Sequence, residues 1–364
     1  MMHIGVGFGF GKGDPTVSDH EIYRSETELA VMSEAWGYDS VWAVEHHFSD
    51  YSFCPDNLLW LSMIGGRTKT IKLGTGAVIL PWNAQPIRVA EKLLMLDNLT
   101  DGRVLFGMGR GLSRKEFAPF GVPLDETRER FDESAAMIIE AIQTGVIEGD
   151  GRFYSQPRTP LKPGPFAPWD DRMYTVAGSH DSMVSGVHNK ARLMSFILKP
   201  VDKLLPTFQA YQDYYFETWS EKAPPVCLNV AMYCHEDEET AVQRHYEYVG
   251  NFYDANVVHY EMNGGHFATT KGYERYAMTA DMINENGISQ SGRNYAEAAL
   301  YGTPQMILDK LAWIQEQMGE FEVILQPTFG GMSHEVGKAS MDLFAREVLP
   351  KARQHYDAAL SVAS

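Results

Sequence analysis

The sequence predicts an α/β fold, a TIM (β/α)8 barrel with insertions, and three observations support this prediction. Short apolar strands alternate with helices of about 12 to 20 residues, which is the pattern of βα units and a parallel sheet. About eight strand–helix pairs can be counted, as a TIM barrel requires. The 364 residues also leave room for insertions beyond the usual ~250 residues of such a barrel. A doubly wound sheet of six or seven strands is the structural alternative.

Hydrophobic periodicity, capping residues and turn signals define the individual elements. Ser18 or Asp19 caps the first helix, Pro86 opens a later one, and Asp101-Gly102 turns the chain. In the first half we predict strands at 3–9, 40–44, 71–80 and 104–108, and helices at 19–36, 55–67, 86–99 and 125–144. In the second half we predict strands at 174–177, 192–198, 226–233 and 322–326, and helices at 181–188, 203–219, 236–253, 304–318 and near 340–348.

Two segments do not fit this alternation. Residues 149–170 are polar and rich in proline, and residues 261–292 are rich in Gly, Asn and Thr with little periodicity. Loops of this length are unusual in a compact domain unless they are lids or disordered segments. Because no linker or internal repeat divides the chain, we predict a single domain over residues 1–364 with insertions at these two places.

The charge of the chain limits its partners. Asp and Glu number 48 against 31 Lys and Arg, giving a net charge of −17. This argues against nucleic acid and against an anionic membrane as partners. An anionic ligand would need a local group of arginines.

The cysteines and the chain start suggest a cytoplasmic protein. Three cysteines are too few for a disulfide framework, and Cys227 and Cys234 lack zinc-knuckle spacing. Met1-Met2-His3-Ile4 has no basic segment before an apolar core, so we expect no signal peptide. No apolar run approaches the ~18 residues of a membrane span.

Several familiar motifs are missing. The glycine-rich stretch from Gly5 to Gly13 does not match G-x-G-x-x-G, since Lys12 stands where the last glycine should be, and its spacing is not that of a P-loop. We interpret it as a strand end where a ligand or another backbone approaches closely. There is no H-E-x-x-H and no G-x-S-x-G motif.

An acid and two histidines follow the second predicted strand. Glu45, His46 and His47 come directly after the apolar run 40–44. They could be surface side chains, metal ligands or catalytic groups at a strand end. Because no matching set of Asp, Glu or His follows the other strands, we predict no metal site.

A phosphate site is suggested by three segments that follow successive strands. The strand from Val104 ends in glycines with Arg110 among them, Arg128 opens the next helix, and Ser179 to Ser182 form a hydroxyl-rich helix start. Guanidinium groups and helix N-termini both bind phosphate. Surface arginines and an ordinary helix cap remain the alternative for each segment alone.

Taken together, these stretches resemble the luciferase-like flavin monooxygenases. The resemblance covers nearly the whole chain and is weakest in the two insertions. The segments that carry it are 45–48, 73–81, 85–88, 96–103, 106–107, 110–112, 115–117, 120–121 and 302–305. Members of that family are TIM barrels that use reduced FMN and O2 to form a flavin hydroperoxide, which oxygenates a substrate.

The resemblance also implies roles for individual residues. It makes His46 the catalytic histidine. We expect Glu45 and His47 to orient or cap it, and a purely structural His47 is the alternative. It predicts a non-prolyl cis peptide bond between Gly76 and Ala77, beneath the flavin. It assigns ten residues to the cofactor: Gly76, Ala77, Arg110, Leu112, Arg128, Val176, Ala177, Gly178, Ser179 and Ser182.

Three positions differ from bacterial luciferase. Gly109 replaces its reactive cysteine, Gly178 a glutamate and Phe196 a tryptophan. The resemblance therefore does not extend to light emission or to a preference for long-chain aldehydes.

The function predicted from the sequence is a two-component monooxygenase. The chain lacks a nicotinamide fingerprint, which fits a separate flavin reductase that supplies reduced FMN. Substrates would be small and apolar, such as a ketone, aldehyde or terpene. A deazaflavin-dependent hydride-transfer enzyme on the same barrel and a non-catalytic flavin-binding protein are the alternatives.

The sequence also suggests a substrate pocket and an assembly state. Candidate pocket residues are Phe8, Phe10, Trp82 and Phe196, with residues 261–292 as a lid that excludes water. Leu93 to Leu96 are apolar on more than one face of their helix, so we expect a homodimer or higher homo-oligomer.

Overall fold

Eight parallel strands close into a barrel in the computed structural model, which describes residues 2–363. Each strand pairs with the next along the chain, and the eighth pairs with the first. The eight barrel strands are Ile4–Phe8, Ser40–Ala43, Lys72–Thr75, Val104–Gly109, Met173–Val176, Arg192–Phe196, Val226–Cys234 and Phe321–Gln326. The predicted TIM barrel is confirmed, and the doubly wound sheet is excluded.

Helices surround the barrel and cover its outer face. The main helices are Asp19–Ala35, Asn57–Gly65, Pro86–Leu99, Thr127–Thr144, His180–His188, Leu205–Trp219, Glu238–Tyr260, Pro304–Met318, His334–Glu347 and Leu349–Ala363. Caps fix several starts: Ser18 and Glu21 form a capping box, and Pro304 follows an N-cap threonine. The helix Glu238–Tyr260 runs seven residues beyond its predicted end, and this extension carries site residues.

The two insertions have regular structure that the sequence did not predict. Val146–Asp150 and Ser155–Pro160 form an antiparallel hairpin that overlaps the first insertion. The second insertion holds a 3-10 turn, Gly265–Thr269, and two helices, Glu274–Asn286 and Ile288–Ala298. It packs through its own apolar cluster: Val257, Met262, Phe267, Tyr273 and Ile283.

Two further short strands extend the barrel rim. The predicted strand 71–80 is divided, so that Val78–Ile79 forms a separate piece beside the fourth barrel strand. Leu300–Gly302 pairs with the end of the seventh barrel strand. Among residues 2–363, no helix is both long and apolar enough to cross a membrane.

The barrel interior is filled by large side chains that depend on neighbouring glycines. The Trp42 ring lies beside Gly74, where an added Cβ would meet ring atoms at 2.2 Å. Its indole Nε1 donates to Ser40 Oγ at 2.7 Å, and Tyr174 packs edge-on against it. Glu322 accepts hydrogen bonds from Tyr174 and Arg192. The lower interior is therefore filled by side chains.

Glu26 is a buried acid outside this interior. It is 6% exposed, on the helix Asp19–Ala35, and its Oε1 accepts a hydrogen bond from Thr328 Oγ1 at 2.8 Å. Its Oε2 has no hydrogen-bond partner. Burial disfavours the charged form and raises the pKa of Glu26 to about 8.

This raised pKa predicts a pH-dependent contribution to stability. The contribution is fully present below about pH 4.5, the ordinary pKa of a glutamate, and is lost as pH rises through about 8. Glu26→Gln should remove up to about 1.4 kcal/mol per pH unit from the slope of unfolding free energy in that range. Chemical denaturation between pH 5 and 8.5 would measure it. Glu28→Gln, on the exposed side of the same helix, should keep the parental slope; equal slopes for all three proteins would contradict the prediction.

Candidate active site

The residues expected to form the site follow five successive barrel strands. His46 follows the second strand, Gly76 the third, Arg110 the fourth and Ser179 the fifth, while Phe196 ends the sixth. The carboxyl ends of parallel strands share one rim of a barrel. The structure therefore places these residues on one mouth of the barrel, as the sequence predicted.

One side of the mouth contains an arginine held by hydroxyl groups at a helix start. Arg128 Nη2 donates to Ser182 Oγ at 2.7 Å, and the hydroxyls of Ser179 and Ser182 are 2.9 Å apart. Ser179 is the N-cap of the helix His180–His188 and accepts from the Ser182 amide. Arg128 Nε is buried and has no hydrogen-bond partner. The N-terminus of the helix His180–His188 and the guanidinium of Arg128, whose Nε has no acceptor, thus lie together at this side of the mouth.

Arg110 is the second cation on this side. It is buried, donates from Nη1 to the carbonyl of Gly272 at 2.9 Å, and lies over the Tyr273 ring at 3.9 Å. Burial lowers the pKa of Arg128, and the nearby positive charge of Arg110 lowers it further. Two close guanidinium groups repel each other, and an anion between them would relieve this repulsion. The arrangement suits a phosphate.

The floor of the mouth contains an unusual backbone feature. The Gly76–Ala77 peptide bond is cis, which confirms the expectation from the sequence. Asn57 Nδ2 donates to the carbonyl of Ala77 at 3.1 Å and to that of Ala43 at 3.2 Å. One buried amide therefore ties this peptide to the end of the second strand.

The opposite side of the mouth contains His46 and its partners. His46 Nδ1 is 3.0 Å from Glu116 Oε1, and Nε2 is 3.3 Å from the hydroxyl of Tyr260. Glu116 Oε1 also accepts from the backbone amide of His47 at 2.7 Å. A carboxylate at Nδ1 fixes the orientation of the imidazole and leaves Nε2 toward Tyr260.

Glu116 also faces a second histidine. His259 Nε2 is 3.4 Å from Glu116 Oε2, and its Nδ1 is 2.9 Å from Ser49 Oγ. Burial opposes ionisation of Glu116, but the charge and hydrogen bond of His46 and the neighbouring His259 lower its pKa to about 2. Burial lowers the pKa of His259. The group is thus a carboxylate between two imidazoles.

Sequence reasoning missed Glu116, His259 and Tyr260 as site residues. Glu116 lies on the short helix Arg114–Phe117, and the other two lie in the last turn of a long helix. Only the segment Lys115-Glu116-Phe117, part of the family resemblance, held a signal for the acid. The helix extension that carries His259 and Tyr260 has no motif of its own.

Glu45 and His47 contact the rim segments beside the mouth. Glu45 accepts from the Ile79 amide at 2.8 Å and from Trp82 Nε1 at 2.6 Å. The His47 ring packs against Trp82 and Phe120. These contacts hold the rim segment after the third strand, and they leave His46 as the histidine of the pair that faces Glu116 and Tyr260.

The predicted pocket residues separate into two groups. Phe8 and Phe10 are fully buried and pack against Trp60 of a surrounding helix. Phe8 points outward from the first strand, and Phe10, which follows that strand, packs in the same layer between barrel and helices, so we withdraw both as pocket candidates. Phe196 lies at the rim and, two residues after the inward-facing Met194, is on the same face of its strand. Trp82 stacks on Phe120.

The remaining cofactor candidates also lie near this rim. Val176 packs on the inward-facing cluster and Ala177 follows it in the chain. An added Cβ at Gly178 would approach the Tyr276 hydroxyl at 3.4 Å. Leu112 packs on the apolar cluster of the second insertion. Their contacts with a cofactor remain predictions.

Three side chains of this site also qualify by geometry as metal ligands. His46, Glu116 and His259 each offer one ligand atom, and these atoms lie within 4.8 Å of one another. The sequence predicted no metal site because no matching Asp, Glu or His follows the other strands. The partners exist, but they come from two helices.

Known proteins resemble this chain over most of its length. A family model described as luciferase-like monooxygenase matches residues 2–320. The alkanal monooxygenase alpha chain of Photorhabdus luminescens is 26% identical over 353 residues, covering 94% of this chain and 95% of that protein. The alpha chain of Aliivibrio fischeri is 28% identical over 226 residues, which cover 61% of this chain and 62% of that one.

Solved structures share the fold. A monooxygenase from Streptomyces bottropensis has a TM-score of 0.76 at 24% identity and covers 96% of this chain and 99% of its own. The oxygenating constituent of 3,6-diketocamphane monooxygenase from Pseudomonas putida, in complex with FMN, has a TM-score of 0.76 at 17% identity, covering 96% and 98%. An F420-dependent secondary alcohol dehydrogenase has a TM-score of 0.70 at 15% identity, covering 97% and 99%.

Proposed function

The chain belongs to the luciferase-like monooxygenase family and is an enzyme of that class, and we propose that it acts with reduced FMN and O2 on a small apolar substrate. The substrate would be a ketone, an aldehyde or a terpene. A separate flavin reductase would supply the reduced FMN. The observation that carries this proposal is the convergence of Arg110, Arg128 and a helix N-terminus at one side of the mouth.

The residues at that side fit the phosphate of FMN. The buried Nε of Arg128 has no partner, and a phosphate oxygen would accept from it. Ser179 and Ser182 add hydroxyl donors at the start of a helix whose dipole favours an anion. Gly76, Ala77 and His46 would then line the place of the isoalloxazine ring.

Reduced FMN, when bound, supplies the electrons with which O2 is activated. His46 would hold a proton at Nε2, next to Tyr260, and deliver or accept it during oxygenation. Glu116 would orient His46 through Nδ1 and stabilise its protonated form. Phe196 and Trp82 would provide apolar walls for the substrate.

The second insertion would cover the mouth and exclude water. Arg114 and Glu261 form a two-pronged ion pair near His46, and Tyr273 donates to the carbonyl of Gly111 at 3.0 Å near the arginines. The segment is thus attached on both sides of the site. Exclusion of water would favour oxygenation of the substrate over release of hydrogen peroxide.

A deazaflavin-dependent hydride transfer on the same barrel is the alternative chemistry. The likeness to an F420-dependent alcohol dehydrogenase, at 15% identity, concerns the fold alone. The 26% identity over 94% of the chain to an alkanal monooxygenase alpha chain favours FMN and O2. Oxygen consumption with reduced FMN, against hydride transfer with reduced F420, separates the two.

The phosphate assignment predicts that arginine loss weakens FMN binding. Arg110→Ala removes a charge-assisted pair of roughly 1.5–3 kcal/mol, so affinity should fall about 10- to 150-fold, and Arg128→Ala should also weaken binding. Anaerobic titration with reduced FMN would measure this. Arg346→Ala, which removes an exposed arginine of the helix His334–Glu347 whose partner is Asp342 of the same helix, is the control and should bind like the parent. Parental affinity in both Arg110→Ala and Arg128→Ala would place the phosphate elsewhere.

The role of His46 predicts a loss of coupling. His46→Ala should bind FMN normally but form product about 10²–10⁴ times more slowly, because a positioned acid–base group is missing. The flavin should then be oxidised with release of hydrogen peroxide. His47→Ala should show a smaller loss. The measurement is product and peroxide per flavin oxidised, and unchanged coupling in His46→Ala would remove its catalytic role.

Assembly with a second copy is part of the proposal. Leu93, Leu94 and Leu96 are buried in the core, so they are not available to an interface. Met95 is exposed, however, and we infer an apolar patch from four exposed apolar residues on its helix and on the helix packed against it: Leu59, Met63, Met95 and Leu99, which are 40–71% exposed. Each helix contributes two residues one turn apart. Two such faces would form a four-helix contact about a twofold axis.

This interface predicts the effect of a charge on the patch. Leu59→Glu would place a carboxylate in a desolvated contact, so a dimeric parent should become monomeric. Light scattering coupled to size exclusion would give the mass of each protein. Phe216→Glu, at an equally exposed apolar residue outside the patch, should keep the mass of the parent. A monomeric parent at micromolar concentration, or a dimeric Leu59→Glu, would contradict the proposed interface.

A further inference from the structure

The group formed by His46, Glu116 and His259 contains more potential metal-ligand atoms than the orientation of one catalytic histidine requires. His46 comes from the end of the second strand, Glu116 from a helix after the fourth strand, and His259 from the long helix after the seventh. Nδ1 of His46 is 3.0 Å from one carboxylate oxygen, and Nε2 of His259 is 3.4 Å from the other. Three elements of the fold therefore bring two nitrogens around one carboxylate.

His259 supplies the observation that points to a ligand. The residue is 3% exposed, and its Nε2 has no hydrogen-bond partner. Its Nδ1 is 2.9 Å from Ser49 Oγ, and Tyr51 stacks on the ring at 4.6 Å. The ring is thus fixed by neighbours on its other side. A buried imidazole nitrogen held in this way, next to a carboxylate, presents a lone pair in the neutral form that suits a cation.

The spacing of the three side chains is near that of tetrahedral coordination. Zinc binds imidazole nitrogen and carboxylate oxygen at about 2.0–2.2 Å, so neighbouring ligand atoms are about 3.3–3.6 Å apart. The nitrogens of His46 and His259 lie 3.0 and 3.4 Å from two different oxygens of Glu116, Oε1 and Oε2. All three ligand atoms lie within 4.8 Å of one another, so a small rotation of the side chains would place them around one ion.

We propose that His46, Glu116 and His259 form a binding site for a divalent transition metal, with Zn2+ as the preferred ion. Two imidazoles and one carboxylate suit zinc, whereas Mg2+ and Ca2+ prefer oxygen ligands. Water would occupy the fourth position. Binding requires the lone pair of His46 Nδ1, so a proton on that atom goes to solvent when the metal binds. The net charge of −17 favours the approach of a dication.

The metal would compete with the catalytic role of His46. In the metal-free protein Glu116 orients the imidazole through Nδ1, whereas a bound ion takes both that nitrogen and the carboxylate. The site is therefore inhibitory. This consequence rests on the proposed function, while the binding of the metal does not.

Binding is tested on the flavin-free protein with Co2+, which reports tetrahedral coordination by its visible absorption. The parent should bind one equivalent with intense tetrahedral bands, and Zn2+ should displace it. His259→Gln should bind at least about 100-fold more weakly, since loss of even an indirect partner costs 10- to 100-fold. His266→Gln is the matched control, because both ring nitrogens of His266 are also buried without partners but lie outside the group. Absence of stoichiometric binding, or parental affinity in His259→Gln, would overturn the proposal.

Inhibition is measured separately. Zn2+ at the concentration that displaces Co2+ should stop product formation by the parent, and a chelator should restore it. FMN affinity in the presence of Zn2+ distinguishes loss of catalysis from loss of the cofactor. Stoichiometric binding without inhibition would confirm the metal site and contradict the role proposed for His46.

Discussion

The buried carboxylate of Glu116 is the interaction on which the mouth of this barrel depends. It accepts hydrogen bonds from the side chain of His46 and from the backbone of His47, and it faces His259 from the long helix Glu238–Tyr260. An ionised group inside a protein is costly unless it is paired. The same pairing that keeps the pKa of Glu116 near 2 therefore also holds the end of the second strand and two helices together. The ionised carboxylate of Glu116 therefore both stabilises the packing of the mouth and orients His46.

Most of the barrel could be predicted because strand and helix periods are local properties of the sequence. The helix Pro86–Leu99 was predicted to the residue, since proline opens it and Asp101-Gly102 ends the segment. The second insertion was predicted to be irregular, yet it forms two helices. These pack on tyrosines and phenylalanines that are scattered in the sequence and meet only in the folded chain. Local periodicity cannot show such contacts.

The site residues also separate into those that local sequence patterns predict and those that they do not. Arg110, Arg128 and the serines at 179 and 182 follow strand ends, so barrel topology alone brings them to one rim. His259 lies 143 residues beyond Glu116 in the chain and reaches it only because its helix extends beyond the predicted end. Phe8 and Phe10 show the opposite error. Their place in a glycine-rich stretch suggested a ligand, but both rings pack against Trp60 of a surrounding helix.

The two sides of the mouth deal with charge in opposite ways. On one side, two guanidinium groups come together in an acidic protein, and their mutual repulsion lowers the pKa of Arg128 beyond the effect of burial. On the other side, a carboxylate is surrounded by imidazoles. The proposed phosphate would complete the first arrangement, and the proposed metal ion would bind in the second. Residues 261–292 contact both, through Glu261 with Arg114 and through Gly272 with Arg110. A phosphate at the arginines must therefore share Arg110 with this segment, so that ligand binding and the packing of the insertion depend on the same side chain.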